Sequence, residues 1–127
     1  MKPKILLVDD DDGFRASVCT CLTLEGYSVI EASDGIEALK VLYNQNIDLL
    51  ITDILMPVMD GIGLSIKIRK KYPQLRTIGM TGGGRLGDSE SVSKMSKPFF
   101  SSYLKKPFGT HELLEKIIAL EKSDGIS

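Results

Sequence analysis

Charged side chains follow directly after apolar runs at three places in this chain. These are, in chain order, Asp9 and Asp10 after the run 5–8, Asp53 after the run 49–52, and Lys106 shortly after Tyr103-Leu104. A continuous apolar run is typical of a strand that is buried on both faces of a parallel sheet. Because ligands of open α/β sheets bind beyond the carboxyl ends of the strands, we expect three carboxylates and a lysine at one sheet edge. Such a group suits a divalent cation and a phosphoryl group.

The acidic residues would repel one another if they met without a counter-charge. Two carboxylates about 4 Å apart repel by roughly 4 kcal/mol at an effective dielectric near 20, so the cluster should bind protons or a cation. Hard oxygen ligands suit Mg²⁺, which takes one or two carboxylates and keeps several waters. Read alone, the run from Asp9 to Asp12 is more simply a solvated acidic turn that caps the next helix. That simpler interpretation fits Asp11 and Asp12.

Asp53 is harder to explain as a solvated residue. It closes a strongly apolar strand, where an unpaired carboxylate is costly to desolvate, and a carboxylate can act as a nucleophile and form an aspartyl phosphate. Thr81 and Lys106, at the ends of the fourth and fifth predicted strands, offer a hydroxyl and a cation for phosphoryl oxygens. Singly, each is also readily explained as a strand-end hydroxyl or a surface lysine. Their shared position at strand ends favours one common site.

Five strand-like runs alternate with helical patterns along the chain. The strands are predicted at 4–8, 27–32, 47–52, 77–80 and 101–104, with helices after each, the last one capped by Thr110. Alternating units with right-handed crossovers predict an α/β fold, a doubly wound parallel sheet in the order 2-1-3-4-5. The crevice of such a sheet falls between the first and third strands, that is, between Asp9-Asp10 and Asp53.

Size and composition indicate a single soluble domain. The chain has 127 residues, of which 43% are hydrophobic and 26% charged, and we expect one domain over 1–122 followed by a frayed tail, 123–127. The net charge of −1 creates no field that favours nucleic acid or an anionic membrane. No apolar run approaches the roughly 20 residues of a membrane span, and no signal peptide is visible. A cytoplasmic protein without nucleic-acid or membrane partners is therefore expected.

The motifs together resemble the receiver domain of two-component response regulators, over nearly the whole chain. The matching strings are, in order, Val8-Asp9-Asp10, Asp53 with Met56-Pro57-Val58-Met59-Asp60-Gly61, Thr81-Gly82 and Lys106-Pro107-Phe108. The resemblance is to a stand-alone, chemotaxis-type receiver and implies the flavodoxin-like (βα)5 fold. Each string alone is weak evidence, whereas their joint order and spacing are highly specific.

The resemblance also implies roles for individual residues. Asp53 would be the phosphoacceptor, Asp10 a direct Mg²⁺ ligand, and Asp9 a ligand through water, with the backbone carbonyl of Leu55 completing the set. Lys106 and Thr81 would bind phosphoryl oxygens, and the Lys106-Pro107 peptide bond would be cis. Tyr103 resembles the family's switch aromatic, which would enter the space that Thr81 vacates on phosphorylation; an amphipathic edge residue is an equally good interpretation.

The implied function is that of a phosphorelay component. A sensor histidine kinase or a histidine phosphotransfer protein would donate the phosphoryl group. A changed surface on the fourth helix, fifth strand and last helix would then meet a downstream protein target. The chain would catalyse at most its own phosphorylation and dephosphorylation, and Leu55 and Gly83 predict slow to moderate loss of the phosphoryl group.

The chain departs from the family pattern before the fifth strand. The pair Phe99-Phe100 stands where the family usually has two small residues, and the segment 88–97 has few apolar anchors. We therefore expect a short or mobile fourth helix, with one phenylalanine covering part of the core and the other exposed. A core repacked around both larger rings is the alternative interpretation.

Other functions fit parts of the sequence. A phosphatase of the haloacid-dehalogenase type would need a second aspartate where Leu55 stands. A flavin-binding protein would need a phosphate-cradling loop where Asp9 to Asp12 would repel a phosphate. A receiver-like scaffold that is never phosphorylated remains compatible with the sequence.

Overall fold

The computed structural model describes residues 2–55, 61–82 and 100–125 of the chain. Five parallel strands form one sheet in the order β2-β1-β3-β4-β5. Their bounds are Lys4–Val8 for β1, Ser28–Ala32 for β2, Leu49–Asp53 for β3, Arg76–Thr81 for β4 and Ser102–Lys105 for β5. The predicted fold class and strand order are confirmed.

Four helices are described. They are α1, Asp12–Leu24; α2, Gly35–Asn44; α3, Gly61–Lys71; and α4, Thr110–Gly125. The predicted weak helix within 86–97 lies outside the described residues, and so does most of the loop after Leu55. The predicted frayed tail, 123–127, stays a prediction. No helix within the described ranges is long and apolar enough to cross a membrane.

Local side-chain contacts determine where the helices begin. The Asp11 carboxylate accepts a hydrogen bond from the Phe14 amide and caps α1, and Asp34 caps α2 in the same way through the Glu37 amide. At α4 the predicted cap was wrong by one position. Thr110 is itself the first helical residue, and the carbonyl of Gly109 accepts the bond from the Leu113 amide.

Apolar side chains cover both faces of the sheet. On β1, Ile5 and Leu7 face the cluster that also contains side chains of α1 and α4, whereas Leu6 and Val8 face the cluster with α2 and α3. All four are fully buried. The central strand β1 is therefore apolar at every position from Ile5 to Val8, as expected of a parallel strand covered on both faces.

The register of the strands brings their carboxyl ends to one edge. Val8 pairs with Thr52, Asp53 with Met80, and Thr81 with Lys105. Beyond these pairs, the Lys106 amide still donates to the Thr81 carbonyl at 2.8 Å. The carboxyl ends of β1, β3, β4 and β5 therefore lie at one edge of the sheet.

Candidate functional site

The three carboxylates predicted to meet do lie together. Asp9 is fully buried, Asp53 is 7% exposed, and Asp10 is exposed. One carboxylate oxygen from each lies within 4.8 Å of the others. This edge of the sheet thus holds three acidic groups, two buried and one open to water.

Lys106, just after β5, forms ion pairs with acidic residues at the ends of both β1 and β3. Its Nζ lies 2.8 Å from Oδ2 of Asp9 and 3.3 Å from Oδ2 of Asp53, and the Lys106-Pro107 peptide bond is cis, as the resemblance implies. Burial lowers the pKa of Lys106, but the hydrogen bonds and charges of Asp9 and Asp53 outweigh it, so the net pKa is raised. The ammonium therefore stays charged between two carboxylates.

The Asp53 carboxylate has a raised pKa. Burial is the largest cause, the Lys106 charge opposes it, and the neighbouring Asp9 charge adds to it. The Leu55 amide donates to Oδ1 of Asp53 at 3.3 Å, so the chain after β3 turns back over the carboxylate. Lys106 and the Leu55 amide therefore offset only in part the cost of a negative charge on the buried Asp53 carboxylate.

Asp9 is held at several atoms. One carboxylate oxygen accepts the Asp11 amide at 2.9 Å, and the other accepts Lys106. Its carbonyl accepts a hydrogen bond from Nη1 of Arg15 at 2.6 Å, and its amide donates to the Ala32 carbonyl. Both carboxylate oxygens of Asp9 already accept hydrogen bonds, so Asp9 contributes to the site mainly through its negative charge. Asp10 is exposed and can contact a ligand directly.

The predicted switch pair lies on neighbouring strands. Thr81 is buried, and its hydroxyl donates to the Leu104 carbonyl at 3.4 Å. The Tyr103 ring packs edge to face on Phe100 with centroids 5.7 Å apart, and its hydroxyl oxygen is buried. Tyr103 is therefore turned inward in this structure, while the Thr81 hydroxyl points toward β5.

Sequence reasoning missed two residues that border the site. Sequence reasoning gave Phe14 no role at the site, but Nζ of Lys106 lies 4.4 Å from the centroid of the Phe14 ring. It gave Arg15 no role, but Arg15 binds the carbonyl of Asp9 and pairs with Glu31. The sequence could have indicated both residues. They lie in the first turn of the helix that follows β1, and this turn must lie over the edge where β1 ends.

The residues at this edge fit a magnesium ion. Carboxylate oxygens are the donors that Mg²⁺ prefers, and an ion at the exposed Asp10 would keep contact with the solvent water that it retains in its shell. The predicted ligand through a backbone carbonyl, Leu55, follows Asp53 on the same turn.

Comparison with known proteins identifies relatives of this arrangement. The profile of the response regulator receiver domain matches residues 5–118. The chain is 38% identical over 120 residues to the transcriptional regulatory protein GlrR of Escherichia coli strain K12, covering 94% of this chain and 26% of GlrR. It is 37% identical over 120 residues to the response regulator MprA of Mycobacterium sp. strain KMS, covering 94% of this chain and 51% of MprA. This chain thus spans a quarter to a half of these relatives.

The fold also matches a solved structure over its full length. A receiver domain protein described as CheY-like, from Methanospirillum hungatei JF-1, superposes with a TM-score of 0.84 at 31% identity. The match covers 100% of both chains.

Proposed function

This chain belongs to the response regulator receiver family, and we propose that it accepts a phosphoryl group on Asp53 in a Mg²⁺-dependent reaction. The phosphoryl donor is a phosphohistidine on a sensor histidine kinase or a histidine phosphotransfer protein. The reaction changes a surface that a downstream protein recognises. This role also implies a cytoplasmic location.

The contact of Lys106 with both Asp9 and Asp53 is the observation that carries this proposal. A lysine drawn into a buried acidic pair is a costly arrangement to maintain for stability alone, because desolvation offsets much of the attraction. It is useful where a fixed cation must meet the oxygens of an incoming phosphoryl group. Fixed cations of this kind do most of the catalytic work in phosphoryl transfer.

The residues act in a simple sequence. A carboxylate oxygen of Asp53 attacks phosphorus, the P–N bond to the donor imidazole breaks, and the released imidazole nitrogen keeps the electron pair and later takes a proton from water. The Lys106 ammonium, already within reach of Asp53, donates a hydrogen bond to a phosphoryl oxygen. Asp10, Asp53, the Leu55 carbonyl and, through water, Asp9 would hold a Mg²⁺ ion, which would supply positive charge to offset that of the phosphoryl oxygens.

In this proposal, Thr81 and Tyr103 transmit the effect of Asp53 phosphorylation to the protein surface. The Thr81 hydroxyl exchanges its bond to the Leu104 carbonyl for a phosphoryl oxygen. Tyr103, which lies opposite Gly79 on the neighbouring strand β5, adjusts to that movement, so that β5 and α4 present a different surface to the target.

Mass spectrometry of the intact protein tests the proposal directly. Wild-type protein incubated with acetyl phosphate and Mg²⁺ should gain the mass of one phosphoryl group, and chelation of Mg²⁺ should abolish the gain. Asp53→Asn should show no gain. Asp48→Asn is a matched control, because Asp48 lies just before the opposite end of β3, where it accepts the Lys4 amide; it should label like wild type.

The same experiment distinguishes the alternative of an unphosphorylated scaffold. A folded wild-type protein that takes up no phosphoryl group from acetyl phosphate or from a phosphohistidine donor would refute the assignment of Asp53. Equal labelling of Asp53→Asn would do so as well.

A further inference from the structure

Phe14 covers the lysine of the site. Nζ of Lys106 lies 4.4 Å from the centroid of the Phe14 ring, within the distance at which an ammonium is attracted to the negative face of an aromatic ring. The same ammonium is bound by the two buried carboxylates of Asp9 and Asp53. Lys106 is thus held by two anions and by one aromatic face.

The Phe14 ring is itself held in place. It packs edge to face on Phe108, with centroids 5.7 Å apart and an interplanar angle of 85°. Both rings also pack against the apolar cluster on the sheet face covered by α1 and α4. The Phe14 amide donates to the Asp11 carboxylate, and the Asp11 amide donates to Asp9. A chain of contacts therefore connects the acidic residue at the end of β1 to the ring that covers the lysine.

We infer that Phe14 is a positioning residue for phosphoryl transfer, because its ring holds the Lys106 ammonium at the point where phosphoryl oxygens arrive. The inference rests on the function proposed above. A lysine has a flexible side chain whose entropy favours many positions. A ring that attracts the ammonium reduces this freedom before the reaction, so less must be lost in the transition state.

A matched set of variants separates aromatic attraction from shape. Phe14→Leu keeps an apolar side chain of good helix propensity but removes the ring, whereas Phe14→Tyr keeps the ring. Tyr43→Leu is the control, because Tyr43 is an exposed residue of α2 whose ring also has a lysine above it, Lys71 at 5.0 Å, far from the site.

The kinetic test measures labelling by acetyl phosphate with saturating Mg²⁺ as a function of donor concentration. Phe14→Leu should lower the maximal rate roughly three- to tenfold with little change in the donor concentration at half-maximal rate. Phe14→Tyr should restore most of the rate, and Tyr43→Leu should match wild type. A Phe14→Leu rate equal to wild type, or a Phe14→Tyr rate as low as that of Phe14→Leu, would overturn the inference.

A spectroscopic test needs no phosphoryl transfer. The ring of Phe14 should shift the side-chain methylene signals of Lys106 in nuclear magnetic resonance spectra, and Phe14→Leu should remove that shift while Phe14→Tyr retains it. If wild-type protein takes no phosphoryl group, the proposed function fails and these signals alone decide where the ring lies. Lys106 signals that are the same in wild type and Phe14→Leu would refute the contact.

Discussion

The folded structure disfavours the charged form of the Asp53 carboxylate. Its pKa is raised because it is buried and because Asp9 lies beside it, and Lys106 compensates only in part. A carboxylate whose pKa is higher in the folded state than in the unfolded state binds its proton more tightly when folded. Its favourable contribution to stability is complete below the ordinary pKa of 3.8 and is lost as the pH rises through the higher folded pKa.

We therefore predict that Asp53→Asn stabilises the protein at neutral pH. Without Mg²⁺, the free energy of unfolding at pH 7 should rise by about 1 kcal/mol, or about 4 °C in Tm. The gain should shrink as the pH falls toward 3.8 and Asp53 becomes protonated in wild type. Thermal unfolding of both proteins over this pH range measures the difference.

The control for this prediction is Asp48→Asn, which weakens an acceptor for the Lys4 amide at the other end of the sheet. It should leave stability unchanged or lower it at every pH. An Asp53→Asn variant that is less stable than wild type at pH 7 would show that Asp53 contributes more through its pairing with Lys106 than burial costs.

At the level of elements, β4 accommodates the ring of Phe100. A Cβ atom at Gly79 would lie 3.0 Å from Cδ1 of Ile54 and 3.1 Å from Cγ of Phe100. The buried Phe100 ring therefore occupies space that a side chain on β4 would need. The expectation that one of the two phenylalanines covers the core is confirmed for Phe100, whereas Phe99 lies outside the described residues.

We predict that Gly79→Ala destabilises the protein and that a smaller residue at position 100 reduces this cost. The added methyl group should lower the free energy of unfolding by about 1 kcal/mol, since overpacking costs more than the entropy gained by replacing glycine. In Phe100→Leu, the same change should cost at least about 0.5 kcal/mol less. Urea unfolding of the two single variants and the double variant gives this coupling, and strictly additive effects would contradict the contact.

The elements were largely predictable, because apolar runs and helical periods repeat clearly along the chain. The end of β3 differs by one residue from the prediction, since Asp53 pairs with Met80 and remains in the ladder. The position of Asp9, Asp10, Asp53 and Lys106 at one edge follows from strand order alone. The contacts of Phe14 with Lys106 and of Phe100 with Gly79 could not be predicted, because they depend on side-chain packing between elements that are distant in sequence.

In the molecule as a whole, the apolar core and the candidate functional site occupy different places. Two apolar clusters cover the faces of the sheet, and the acidic residues gather at one edge, where they disrupt neither cluster. A domain of this size usually unfolds in one cooperative step. Any ligand that relieves repulsion at the edge should therefore stabilise the entire domain, because it binds only the folded arrangement of Asp9, Asp10 and Asp53.

This reasoning predicts that Mg²⁺ raises the Tm of the whole protein and that the acidic edge is responsible. At a concentration one hundred times its Kd, the ion should add about 2.7 kcal/mol to the free energy of unfolding. Asp10→Asn should remove most of this gain, whereas Asp12→Asn should keep it, because Asp12 is an exposed acid in the first turn of α1 that pairs with Arg15. Calorimetry with increasing Mg²⁺ measures these shifts. Equal shifts in the Asp10 and Asp12 variants would show that the ion binds the protein surface in general, so the carboxylate cluster would not be its site.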